Sequence, residues 1–546
     1  MSYLQLIRRE MHSSLPKLLL MSGLGGISNA LLLAVINAAV QGTSDGHPPG
    51  FAAATLFLAA LFMFMRAQLY VTVTSASEIE GIIHKLRLRV TDYVRNSELL
   101  EVENITGARI ISGLTSDTAV LSQASNILCF TVQGAILILF VGFYVAHLSP
   151  TAFSLAAAIV IGAGTTFYLK NKRIIRQKNE AIAKERQIFD RLADFLDGFK
   201  EVRLNSGRSA DLFADAVEVS TAAANTKIGA QAETFKMIVG YQISMYILLG
   251  AVVFVTPTVS QTVTSISDIT TALLFVVGAC FGLLQSIPLL TNANAAADRL
   301  NQLEKILKTK SAVGEPIAAV RPGHFSRIEM RRIVFRYVDR FSDTAFQIGP
   351  IDFSLEAGEL VFITGGNGSG KSTFLRVVAG LYPPHSGEIF LDGVRLDDNS
   401  TENYRALMSA IFFDYHLFHR LYGISEPDAP KIQQLLNQSR LAEVTGYSHG
   451  AFRTLNLSSG QSHRLALVVG LLEKRPILLL DEWTADQDPE FRHKFYEEFL
   501  PEVVRAGTAT IVITHDERYL DELTLPGRKI LMDQGRFVDE QLIGRR

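Results

Sequence analysis

The chain has 546 residues, too many for one hydrophobic core, so two or three domains are expected. Only 19% of the residues are charged and the mean hydropathy is +0.22, apolar for a wholly water-soluble protein. The net charge of −2 provides no basic surface for nucleic acid, and the two cysteines, Cys129 and Cys280, lie inside apolar runs that suit core packing better than a disulfide or a metal site.

The excess apolarity sits in the N-terminal half. A membrane crossing needs about 20 mostly apolar residues. Six stretches supply them, at about 18–41, 51–75, 127–148, 150–170, 236–257 and 267–290. Arg8, Arg9 and Lys17 precede the first stretch, which is too long for a signal h-region and lacks a cleavage-type end, so it reads as an uncleaved span. A soluble helical bundle would need charged faces, and Asn126 to Ala146 contains no charge. Gly23, Gly25 and Gly26 in the first stretch, Gly162 and Gly164 in the fourth and Gly278 and Gly282 in the sixth are small enough for close helix contact.

Charge placement gives an orientation. The loops Thr43–Gly50, Leu148–Ser149 and Thr258–Asp268 contain no Lys or Arg, whereas Met1–Lys17, Glu78–Arg109 and Lys170–Lys236 contain many. Lys and Arg stay on the cytoplasmic side, so both termini are expected there. Ser75–Ser125 and Asn171–Phe235 are helical by pattern and too long for connectors. They extend the spans into the cytoplasm and reverse at short cross-helices near Glu98–Thr106 and Asp197–Asn205, elbows suited to carry force between a soluble motor and the membrane.

Ionisable residues inside spans point to function. Arg66 either faces a central cavity and binds an anionic group, or pairs locally and snorkels to the inner headgroups. Gln68, Gln133, Gln242, Gln285, Asn292 and Asn294 either line a polar cavity or hydrogen-bond between helices. The charged helical run Asp298–Lys308 leads out of the membrane. The expected division is a membrane domain over 1–309, a Pro- and Gly-containing linker over 310–325, and a soluble domain over 326–546.

In the soluble half, Ile328–Tyr337 alternates apolar and charged residues, a strand pattern. Tyr337 either stacks on a nucleobase or packs in the core. Leu360–Ile363 reads as a buried strand that opens into Gly365, Gly366, Asn367, Gly368, Ser369, Gly370, Lys371 and Ser372, followed by Thr373, a fit to G-x-x-x-x-G-K-[ST]. Leu375, Val377, Val378 and Leu381 then fall on one helical face. Glycines let backbone N–H groups curl around an anion, and the helix N-terminus adds its partial positive charge. Lys371 is expected to reach the β- and γ-phosphates and Ser372 to hold Mg²⁺.

Leu457, Ser458, Ser459, Gly460 and Gln461 precede the helical run Arg464–Leu472 and form a second anion-type turn. One nucleotide cannot easily touch both this turn and the glycine loop of the same domain, so a head-to-tail dimer with ATP between the copies is expected. Pro476–Glu482 reads as a buried strand ending in two carboxylates. Asp481 is placed to hold Mg²⁺ through water and Glu482 to polarise an attacking water. Thr510–His515 is another such strand, and His515 at its end can hydrogen-bond the γ-phosphate.

These motifs, in this order, resemble the ABC transporter family over nearly the whole chain, as a half-transporter with the membrane domain first. GGNGSGKST is similar to the Walker A loop, LSSGQ to the signature turn and ILLLDE to Walker B. Asp488 in TADQDP resembles the D-loop, His515 the H-loop and Tyr337 the A-loop. The resemblance implies an N-terminal all-α six-helix transmembrane domain of type I exporter form and a C-terminal α/β P-loop NTPase domain. It also implies ATP and Mg²⁺ as cofactors, a homodimer in the lipid bilayer, alternating access and a place in the bacterial inner membrane.

A narrower resemblance rests on DEWTADQDP at Asp481–Pro489, DGFKEVRLN at Asp197–Asn205 and SAIFFDYHLF at Ser409–Phe418. These are similar to the exporters of cyclic peptides and peptide siderophores in Gram-negative bacteria. They imply ATP-driven export of a cyclic peptide, lipopeptide or siderophore precursor, with Arg66, Gln133, Gln242 and Gln285 as candidate cavity residues. A lipid flippase or importer on the same fold, or an ATP-dependent membrane sensor, stays open. Two departures stand out: Phe413 occupies the place of the Q-loop glutamine, and Ser459 that of a signature glycine. The stretch from Phe413 to Leu457 is also short for the family's helical subdomain.

Overall fold

The computed structural model describes residues 3–11, 14–44, 50–105, 107–259, 266–310, 324–338, 345–397, 400–424 and 427–544. Residues 311–323 of the expected linker over 310–325, most of Thr43–Gly50 and residues 260–265 lie outside the described residues. The chain forms two compact units, one of Met1–Asp92 and Ala108–Ile306, the other of Tyr93–Gly107 and Leu307–Arg546.

The first unit is helical. A short amphipathic helix α1 (Tyr3–Glu10) buries Tyr3, Leu6 and Ile7. The long helices are α2 (Leu15–Ser44) and α3 (Phe51–Arg95), followed, after the elbow helix α4 (Leu99–Ile105), which belongs to the second unit, by α5 (Ile127–Leu148) and α6 (Pro150–Asp197). The second elbow α7 (Phe199–Leu204) leads into α8 (Ser206–Phe254) and α9 (Ile266–Lys310). Among the described residues these include six helices long and apolar enough to cross a membrane, α2, α3, α5, α6, α8 and α9. At about 1.5 Å per residue, the 48 residues of α6 and the 49 of α8 far exceed a hydrocarbon core of about 30 Å. Their polar portions therefore continue beyond it, and the short helices α4 and α7 stand where the sequence pattern reverses.

The small residues of α2 do bring α5 close. A Cβ on Gly26 would come within 2.9 Å of the Ile136 side chain, and one on Gly25 within 2.9 Å of Gln133 Nε2. Gly162, Gly164, Gly278 and Gly282 differ from expectation, because a Cβ there would meet no atom of the described residues within 4 Å. Gly278 and Gly282 instead open a cavity described below. Ion pairs fix the polar end of α9 within this unit: Arg299 lies 2.5 Å from Asp117, and Arg89 bridges Glu10 and Glu304 at 3.0 Å each.

The second unit is α/β. An antiparallel sheet in the order β2-β1-β4-β5 comprises β1 (Arg327–Val338), β2 (Ala345–Glu356), β4 (Ser386–Leu391) and β5 (Val394–Arg395). The main sheet holds β3 (Leu360–Thr364), β6 (Met408–Ile411), β7 (Ile477–Asp481), β8 (Ala509–Ile513), β9 (Gly527–Asp533) and β10 (Arg536–Ile543), in the order β10-β9-β3-β8-β7-β6. All neighbours are parallel except the edge pair β9 and β10. Strands β3, β7 and β8 are buried at every residue, as a parallel sheet covered on both faces requires. Alternate residues feed opposite cores: Val361, Ile363, Leu479 and Ile511 on one side, Leu360, Phe362, Leu478, Leu480 and Val512 on the other.

Helix α10 (Lys371–Val378) follows the glycine loop and ends before Gly380, whose φ of 66° turns the chain. Leu381, expected on the helix, lies just beyond it but still packs on the same core. Between Phe413 and Leu457 the described residues hold one helix, α11 (Ala429–Gln438), and a two-residue-strand hairpin. These pack with α12 (Ser459–Leu472) around Leu436, Leu441, Leu465 and Val468. The short sequence interval thus builds a subdomain with little helix.

Candidate functional site

Sheet register assembles the site. Ile513 of β8 lies opposite Ile363 of β3 on one side and opposite Asp481 of β7 on the other. The carboxyl ends of the three strands are therefore level, where ligands of parallel sheets gather. Strand β8 ends at Ile513, two residues earlier than the sequence pattern suggested, and the next residues close across the neighbours. Thr514 N donates to Ile363 O at 3.2 Å and Glu482 N to Ile513 O at 3.1 Å.

The loop from Gly365 to Gly370 connects β3 to α10, with Gly366, Asn367 and Gly368 exposed at its crest. Gly370 is the N-cap of α10 at φ 103°, and a Cβ there would come within 2.7 Å of Ile348. Backbone conformation and space both demand glycine. The Lys371 ammonium donates to Gly365 O and Gly366 O at 3.0 Å each, and burial lowers its pKa. Ser369 Oγ is buried inside this loop without a hydrogen-bond partner among the described residues. Thr373 lies in the first turn of α10.

The residue after Lys371, Ser372, donates from Oγ to Asp481 Oδ1 at 3.0 Å. Burial pushes the Asp481 carboxyl up to about 6. Glu482 adopts a left-handed conformation, φ 49°, one of seven non-glycine residues with positive φ among the described residues. Its Oε1 lies 3.2 Å from His515 Nε2 and 3.9 Å from Lys371 Nζ. Lys371, Ser372, Asp481, Glu482 and His515, spread over 145 positions from 371 to 515, thus meet in one cluster of cation, hydroxyl, carboxylates and imidazole. Such a cluster can bind phosphate, hold a hard divalent cation and accept a proton from water.

Tyr337 lies opposite Phe346 in the β1–β2 ladder, and the Phe346 ring approaches Gly370. The tyrosine is 44% exposed, so its ring is not spent on core packing.

The second turn has its own logic. Ser458 is the N-cap of α12, and with Gln461 it forms a reciprocal capping box, Gln461 N to Ser458 Oγ at 3.3 Å and Ser458 N to Gln461 Oε1 at 3.0 Å. Ser459 sits at the first helical position and is not among the positive-φ residues, so a side chain is accommodated there. Gly460 admits none, since a Cβ would come within 2.6 Å of Asp486 O. Leu457 is half-buried beside the α11 subdomain.

Sequence reasoning missed what ties this turn to Asp488. Arg464 Nε donates to Gln487 Oε1 at 2.7 Å, Gln487 Nε2 donates to Gly460 O at 3.1 Å, and Arg464 also pairs with Asp488. The guanidinium lies 3.8 Å over the Phe491 ring. Asp488 itself caps α13 (Pro489–Lys494) by accepting from Phe491 N at 2.8 Å, which with Arg464 holds its carboxyl below the usual range. Trp483, also missed, is wholly buried and donates from Nε1 to His463 O at 2.7 Å. A DEW tripeptide signals a bulky residue there but not its partner.

In the helical unit, a cavity of about 670 Å³ is lined by Asn29 of α2, Phe130, Gln133, Gly134 and Leu137 of α5, and by residues of α9 that include Phe275, Gly282, Gln285 and Ser286. None of its lining side chains is ionisable. Gln133 Nε2 donates to Gln68 Oε1 of α3 at 3.0 Å, so the amide joins both the cavity and an interhelical hydrogen bond. Arg66 and Gln242, the other two expected cavity residues, are exposed and not among the lining residues. With apolar residues on every face, these spans carry no periodic signal that fixes their rotation.

A family profile described as "ABC transporter" matches residues 348–485, which run from β2 through β7. The chain is 32% identical over 541 residues to the ATP-binding protein SyrD of Pseudomonas syringae pv. syringae, covering 95% of this chain and 93% of that one. It is 24% identical to an ATP-dependent lipid A-core flippase of Burkholderia orbicola over 84% of this chain and 78% of the relative. A solved structure described as a bacterial Atm1-family ABC exporter with ATP bound superposes with a TM-score of 0.75 at 18% identity, over 98% of this chain and 95% of the other.

The chain belongs to the ABC transporter family. It is a multi-pass membrane protein of the exporter fold whose ATPase is coupled to transport.

Proposed function

We propose that this protein is a homodimeric exporter that drives a peptide across the bacterial inner membrane by alternating access, with both termini in the cytoplasm. The cargo class is a cyclic peptide, a lipopeptide or a peptide siderophore precursor. The observation that carries the peptide reading is the membrane cavity, whose polar groups are amides and a hydroxyl among apolar side chains, with no ionisable residue. Such a lining matches a neutral, amide-rich, partly apolar molecule, whose backbone groups need partners once water is left behind. The resemblance of DEWTADQDP and SAIFFDYHLF to peptide-siderophore exporters, the pyoverdine exporter among them, points the same way.

In this reading the domains are 1–309, 310–325 and 326–546, and Gly365 to Thr373 cradle the triphosphate of ATP while Tyr337 stacks on the base. Lys371 offsets phosphate charge, Glu482 accepts a proton from the attacking water and His515, 3.2 Å away, fixes the Glu482 carboxylate. Ser372 and Asp481 present hydroxyl and carboxylate oxygens side by side, a hard donor set that fits Mg²⁺. Bound there, the ion would neutralise charge on the phosphates. Leu457 to Gln461 and Asp488 face the nucleotide of the partner copy, and the elbows α4 and α7 transmit closure to the membrane.

The test is ATP-dependent accumulation of a cyclic lipopeptide in inside-out vesicles containing the purified protein. Accumulation that stops in Glu482→Gln supports the reading. A second reading, lipid translocation, is favoured by the flippase relative. Hydrolysis stimulated by lipid and indifferent to peptide would replace the first reading with the second.

A further inference from the structure

Within the α/β unit, a file of polar contacts leads from the elbow helix α4 to the nucleotide cluster. Tyr382 Oη donates to Glu103 Oε2 of α4 at 2.8 Å and accepts from Arg376 Nη1 at 3.3 Å. Arg376 projects from α10, the helix that carries Lys371 and Ser372, and its Nη2 lies 3.5 Å from Asp414 Oδ2. The guanidinium is boxed between rings, 5.6 Å from the Tyr382 centroid and 5.9 Å from that of Phe412. A second clasp holds the same elbow: Arg405 lies 2.6 Å from Glu98, and its Nε donates to Gly380 O at 2.8 Å. Tyr382 is buried at 1% exposure, so the middle of this file is a fixed ring, while its two ends, Glu103 and Asp414, are exposed.

Phe413 makes this file consequential. Ile411 of β6 pairs with Leu480 of β7, so β6 ends at the sheet's carboxyl end, one residue short of Asp481, and residues 413 and 414 form the turn that follows. The Phe413 side chain, 58% exposed, offers no hydrogen bond there. We propose that Arg376, held by Tyr382 and Glu103, is the positioning residue that links elbow α4 to the Asp414 carboxylate, in place of a polar side chain at 413. Movement of the elbow then changes the charge facing the phosphate site through one guanidinium.

The test uses the full-length protein in vesicles of phosphatidylethanolamine and phosphatidylglycerol, with basal ATP hydrolysis as the readout. Tyr382→Phe keeps the ring and removes only Oη, and Arg376→Gln removes the charge. Each should lower kcat, by about threefold and about tenfold, while KM for ATP stays within about twofold. Adding Glu103→Gln to Tyr382→Phe should cost nothing more, because the same link is already broken. Adding Phe413→Gln to Arg376→Gln should restore at least half of the lost rate, a rescue that a merely structural lesion would not show. Unchanged kcat in both single variants, or a loss that Phe413→Gln leaves untouched, overturns the proposal. The readout is hydrolysis, so a wrong cargo assignment would leave it unaffected.

Discussion

The two units of this chain solve recognition in opposite ways. In the α/β unit the groups of the proposed nucleotide cluster stand at fixed offsets from strand ends: Lys371 seven residues after β3, Glu482 one after β7 and His515 two after β8. Phosphate, a hard cation and an activated water have geometries that do not vary, so the residue types and their spacing do not vary either. In the helical unit the cavity is assembled from side chains of α2, α5 and α9 whose separation in sequence has no rule. One region reads as a motif and the other only as a surface.

That contrast can be broken most forcefully at the cluster. Glu482→Gln keeps the shape of the side chain and removes the carboxylate proposed as the base. Hydrolysis should fall by about 10²–10⁴-fold, the usual worth of general-base catalysis. Binding of a fluorescent ATP analogue should persist, and a closed dimer should accumulate with ATP. A variant that hydrolyses ATP at the normal rate would show that the base lies elsewhere.

The next largest effect concerns what supports the cluster. Trp483 is fully buried between Phe491 and Phe495, with ring centroids at 6.2 and 4.6 Å, and holds α12 through His463 O. Trp483→Ala should cost about 3–5 kcal/mol of stability, visible as earlier thermal unfolding of the α/β unit. Trp483→Phe should lose less, since most of the volume remains and chiefly the hydrogen bond to His463 O is gone. If the two substitutions were equally mild, Trp483 would not be the support the burial implies.

These positions also mark what was legible beforehand. Strands β3 and β7, the glycine loop, the signature turn and the six long apolar helices all follow from local pattern. The polar links do not. Arg464 meets Gln487 and Asp488, and Tyr382 meets Glu103 across 279 positions of sequence, with nothing local to announce either pairing. In the membrane half, the glycines of α2 were correctly read as contact points, while Gly278 and Gly282 border a cavity. Composition marks small residues but not whether a helix or a void lies opposite.

The helix contact gives a smaller effect, confined to the other unit. Gly26→Val would drive a branched side chain into Ile136 and the Gln133 carbonyl, which lies 3.1 Å from the position of a Cβ. Overpacking of this kind costs about 1–3 kcal/mol. Gly278→Val should cost far less, because a Cβ there meets nothing within 4 Å. Thermal unfolding of the two variants in detergent compares them directly, and equal losses would mean that α2 and α5 do not pack as described.

The smallest effect bears on the cavity itself and decides whether a surface without a motif can still be read. Gln285 and Gln242 are both exposed amides on apolar helices, and no sequence rule separates them; only Gln285 lines the cavity. If the cavity holds the peptide, Gln285→Leu removes one hydrogen-bonding partner, worth about 0.5–1.5 kcal/mol. The peptide concentration that half-maximally stimulates hydrolysis should then rise by about two- to tenfold. Basal hydrolysis should not change, since the residue belongs to the helical unit. Gln242→Leu should shift neither quantity. Equal shifts in both would place the peptide on the outer face of α8 as much as in the cavity, and the amide lining would lose its meaning as a sign of cargo.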